Sequence, residues 1–83
     1  MPTRPNWSRP LPRPLTIPTV MDLVTLADVR ALIGHLPKET RARDTWQHVE
    51  TELKKASAGA DMAQVWVALQ MVFQLENIEY VVA

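Results

Sequence analysis

Asp44, His48 and Glu52 are the residues whose types and spacing come nearest to chemistry in this chain. At i, i+4 and i+8 they share one face of a helix, which sets a histidine between two carboxylates. Such a group could move a proton, or offer a carboxylate-flanked imidazole to a metal ion. The same spacing also describes a solvated helix face, where surface pairs are common and weak. We read it as that. His35, beside Gly34 at a helix end, suits the last carbonyls of its helix better than a ligand set.

Little else supports catalysis. Cysteine is absent, so disulfides and thiolate metal sites are excluded, and two histidines cannot close a zinc site without carboxylates. Ser8 lies in a proline-rich stretch and Ser57 in a turn, neither with a base nearby in sequence. The threonines fall mostly at positions that cap helices. Two glycines, Gly34 and Gly59, leave no phosphate-cradling loop. The reading is a non-enzyme with no cofactor and no metal.

Three helices are expected to position these residues. The first covers about 26–36: Thr25 and Asp28 have capping-box spacing, and Leu26, Val29, Leu32, Ile33 and Leu36 recur at helical intervals until Pro37. Thr19 and Asp22 offer a second start, near Val20. The second covers about 45–57, capped by Asp44 or Thr45, with Trp46, Val49, Leu53 and Ala56 as one apolar stripe on a charged helix. Ser57-Ala58-Gly59-Ala60 turns the chain, with Gly59 free to adopt a left-handed conformation. The third covers about 62–77 behind the N-cap Asp61, with Gln64 at capping-box spacing. Between Met62 and Asn77, eleven of sixteen residues are apolar.

The ends differ from this middle. Six of the seven prolines fall in residues 1–18, which read as a disordered or polyproline-II arm before a three-helix domain over 19–83. The prolines at 10, 12 and 14 are spaced by two, so only Pro2 and Pro5 have the separation of a proline-recognition ligand. Trp7 in that arm is either incidental or docks on the folded part. The tail from Ile78 favours extended structure, as does Leu15-Thr16-Ile17, so a short strand pair between the two ends is weighed as well. The fold class expected is all-α: a small three-helix bundle with a disordered arm and an extended tail.

Function is then sought in surfaces. The 83 residues carry no net charge, but residues 1–20 are basic through Arg4, Arg9 and Arg13, and residues 56–83 are acidic through Asp61, Glu76 and Glu79. No secretory leader is legible, and Met62–Leu75 is too short to span a bilayer, so a cytoplasmic protein without membrane contact is expected. The third helix is apolar nearly all round and wants cover on most of its surface. Trp66, Val67 and Met71 are the candidate interface residues, with a second copy of the chain or another protein as partner. Nucleic acid is the alternative, held by Lys38, Arg41 and Arg43 with the arginines of the arm. Against a helix-turn-helix stand the long link between the last two helices and a would-be reading helix without Lys or Arg.

Overall fold

The structure is a computed structural model that describes residues 4–82. Those residues form strand β1 (Pro10–Ile17), strand β2 (Met21–Thr25), helices α1 (Leu26–His35), α2 (Lys38–Arg41), α3 (Asp44–Ser57) and α4 (Met62–Leu75), and strand β3 (Val81–Val82). The strands make one antiparallel sheet in the order β2-β1-β3. The expected all-α bundle is therefore wrong. Of the supposed arm, residues 1–3 lie outside the described residues, and Pro10–Ile17 is the middle strand of a sheet.

The proline spacing explains how such a strand is possible. Leu11, Leu15 and Ile17 point inward and are buried, while Pro10, Pro12 and Pro14 are exposed. A spacing of two is the side-chain period of a strand. The carbonyls of Trp7, Arg9 and Ile17 accept from Ala27, Leu26 and Val20, all on the β2 side. Positions 7, 9 and 17 thus turn their carbonyls toward β2, while Arg13, inside the register shift, turns its carbonyl to α4. By the alternation of a strand the prolines, at even positions, set their missing N–H groups toward the other edge. On that edge β3 pairs only with Leu15 and Thr16, past the last proline. The ladder to β2 shifts register between Pro10 and Leu15. Proline removes donors here where no partner needs them.

The hairpin between β1 and β2 closes over Pro18-Thr19-Val20. Val20 N–H donates to the Ile17 carbonyl at 3.0 Å, with proline at the first central position and Thr19 at φ 63° at the second. That is the pattern of a type II turn, which normally takes glycine or asparagine where Thr19 stands. Met21–Thr25, read as a possible early start of the first helix, is consequently a strand. At its end Thr25 caps α1: Asp28 Oδ2 accepts from the Thr25 N–H at 3.1 Å and from the Val24 N–H at 2.9 Å.

Both long helices end in the same way. After α3, Gly59 at φ 111° donates to Ala56 and Ala60 donates to Lys55. After α4, Asn77 at φ 55° donates to Gln74 and Ile78 donates to Phe73. These are Schellman closures, which satisfy the last carbonyls of a helix. Asp61 Oδ1 opens α4 by accepting from the Ala63 N–H at 2.9 Å. Arg43, rather than Asp44 or Thr45, takes the N-cap position of α3, leaving Asp44 in the first turn.

The core lies between the inner face of the sheet and the helices. Leu15, Leu23, Leu26, Val29, Trp46, Val49, Val65, Leu69 and Phe73 are fully buried in it. Trp46 and Phe73 meet edge to face with centroids 6.5 Å apart, and Tyr80 tilts against Phe73 at 5.3 Å. The Trp46 indole N–H has no hydrogen-bond partner among the described residues. The chain before β1 docks as well. Asn6 N–H donates to Ser57 O at 2.7 Å, and the Arg9 guanidinium donates to the carbonyls of Ala56 and, at 2.8 Å, Ala60. A cation at the C-terminal end of α3 also suits the helix dipole.

Candidate interaction surface

Helix α4 is positioned by what it buries. Val65, Ala68, Leu69, Val72 and Phe73 fill the core from one side of it. The other side carries Val67, Met71 and Leu75, which are 49%, 54% and 63% exposed. These three stand at i, i+4 and i+8, so they form one apolar stripe about 12 Å long at 1.5 Å per residue. No residue from Met62 to Leu75 is charged. Nothing among the described residues covers the apolar stripe on the outer side of this uncharged helix.

Trp66 has a different situation from Val67 and Met71. It is half-buried, and its indole N–H donates to the Arg13 carbonyl of β1 at 3.1 Å. It thereby ties α4 to the strand that the sequence reading left disordered. Leu75 belongs with Val67 and Met71 and was missed. Continuing the four-residue step from Met71 would have found it.

The basic set is not gathered into one surface. Arg41 faces Glu50 at 3.6 Å, and Arg43 forms an ion pair with Glu76. Lys38 makes no ion pair among the described residues. In the arm, Arg9 is engaged with backbone carbonyls, as described above, so two of the cations set aside for phosphates face carboxylates and a third serves the fold. Asp44 and His48 are exposed on α3, and Glu52 makes an ion pair with Lys55 at 3.5 Å. Among the described residues no group of three or more acidic or histidine side chains could hold a metal ion. Nor is any helix there long and apolar enough to cross a membrane.

Comparison with protein-family models, with curated proteins and with solved structures finds no match for this chain.

Proposed function

We propose that this chain is a small non-catalytic interaction protein that associates with a second copy of itself through the outer stripe of α4. The observation behind the proposal is the exposure of Val67, Met71 and Leu75 on a helix that already fills the core with its other side. A two-fold interface sets each patch against its own image, so any net charge would repel itself. The absence of charge from Met62 to Leu75 removes that obstacle. A ridge built on four-residue steps packs against a like ridge at a crossing angle near −50°, roughly, rather than as a coiled coil. Met71, in the middle of the stripe, would sit closest to the two-fold axis. Stable complexes usually bury about 800 Å² on each partner, and three half-exposed side chains fall short of that. The dimer should therefore come apart on dilution.

Light scattering over a dilution series at two salt concentrations tests this. The expected outcome is a dimer at high protein concentration that is insensitive to salt. Met71→Glu should convert it to a monomer with an unchanged far-ultraviolet circular dichroism spectrum, since the side chain lies outside the core. A monomer at every concentration, or a dimer indifferent to Met71→Glu, would sink the proposal. Binding to nucleic acid would instead fall steeply with salt and with Arg41→Ala and Arg43→Ala.

A further inference from the structure

A second feature lies away from the α4 stripe. A cleft of about 370 Å³ opens between the docked N-terminal segment, α1 and α3. Its floor includes Ile33 and Leu53, each only 4% exposed, and Trp7 forms one wall. Three cations, Arg30, Arg41 and Lys54, and a single carboxylate, Glu50, complete the lining. The lining therefore has a charge excess of two.

These cations are not equally engaged. The Arg30 guanidinium carbon sits 4.6 Å from the centre of the Trp7 ring. A cation–π contact holds the guanidinium through its charge and does not use up its N–H groups as hydrogen-bond donors to an anion. Among the described residues neither Arg30 nor Lys54 has an ion-pair partner. Arg41 reaches Glu50 only at 3.6 Å, with nearly half of its side chain in solvent. An exposed contact of that length is weak, so a stronger acceptor can recruit Arg41. The volume is at the lower end of the range for small-molecule sites, and an apolar floor with a few directed polar groups is their usual make-up.

We propose that this cleft binds a small phosphate monoester, whose carbon body rests on Ile33 and Leu53. Arg30 grips the oxyanion through its N–H fork, and Arg41 and Lys54 close on it from α2 and α3. Gly34 provides the means to block the site. A Cβ added there meets no atom within 4 Å, so a larger side chain grows into open space. Leucine is also a better helix former than glycine, so Gly34→Leu is expected to leave the fold intact.

The test is a titration of the ¹⁵N-labelled full chain with phenyl phosphate, followed by nuclear magnetic resonance at the Trp7 indole N–H and the Arg30 side-chain N–H. Saturable shifts of both are expected below roughly 10 mM, the range of a weak specific site. Arg30→Gln should weaken binding about tenfold through loss of a charge-assisted fork. Gly34→Leu should abolish the shifts, with dispersion of the remaining peaks certifying the fold. If Gly34→Leu unfolds, Arg30→Gln decides alone. Absence of saturation, or saturation unchanged in the folded variants, would overturn the proposal. Equal affinity for inorganic phosphate would overturn its organic part.

Discussion

Helices α3 and α4 have the same length, fourteen residues, and each buries five of them. They differ in what is left over. Outside the core α3 presents Asp44, Gln47, His48, Thr51, Lys54 and Lys55 to solvent, all polar, while α4 presents Val67, Met71 and Leu75 together with Ala63 and the uncharged Gln64 and Gln74. The hydrophobic core draws on four side chains of α3 and five of α4, the fifth buried residue of α3 being the polar Ser57. The apolar surplus of α4 is thus no requirement of this fold, and its extra hydrophobic side chains remain as surface. An apolar patch of that kind, on a helix with no charges of its own, is where a partner gains most from docking.

That contrast can be broken most severely from the inner side of α4. Phe73→Ala should cost about 3–5 kcal/mol, because a buried aromatic against Trp46 and Tyr80 leaves a cavity. In a domain this small, chemical denaturation should find most of the cooperative transition gone. The Met71→Glu variant probes the outer side of the same helix: association is lost while the unfolding midpoint of the monomer holds. Arg9→Met acts on α3 instead. It removes the donors to the Ala56 and Ala60 carbonyls and should cost about 1–2 kcal/mol, measurable in urea. His48→Ala should do least of all. It lies on the solvated side of α3 with no hydrogen bond or ion pair among the described residues, and should change neither melting temperature nor molar mass.

The helical half of this molecule is written locally. Thr25 with Asp28, Asp61 and Gly59 are recognisable end signals, and the stripe Trp46, Val49, Leu53 and Ala56 is buried throughout. The strands are not local. Leu11, Leu15 and Ile17 alternate, but the intervening prolines read as breakers, because the rule that excludes proline from strands assumes donors needed on both edges. Met21–Thr25 is ambiguous by itself and becomes a strand through the left-handed Thr19 and pairing with β1. Arg9 gives no hint of carbonyl partners 47 and 51 residues away. The strand pair weighed between Leu15–Ile17 and the tail does form, but as one side of a three-stranded sheet. At the surface, helical periodicity suffices to find the stripe, and it cannot tell which cations already face carboxylates.

The prolines at 10, 12 and 14 also bear on how the protein behaves in a crowded solution. Beyond the two residues that β3 covers, no strand among the described residues pairs with that edge of β1, and an open strand edge is a template on which other chains can add and aggregate. At three successive edge positions this one has no hydrogen to donate. A foreign strand arriving there meets carbonyl oxygens without their matching N–H groups and cannot build a regular ladder. The feature that disguises β1 as a disordered arm is also what keeps its exposed edge from recruiting strands.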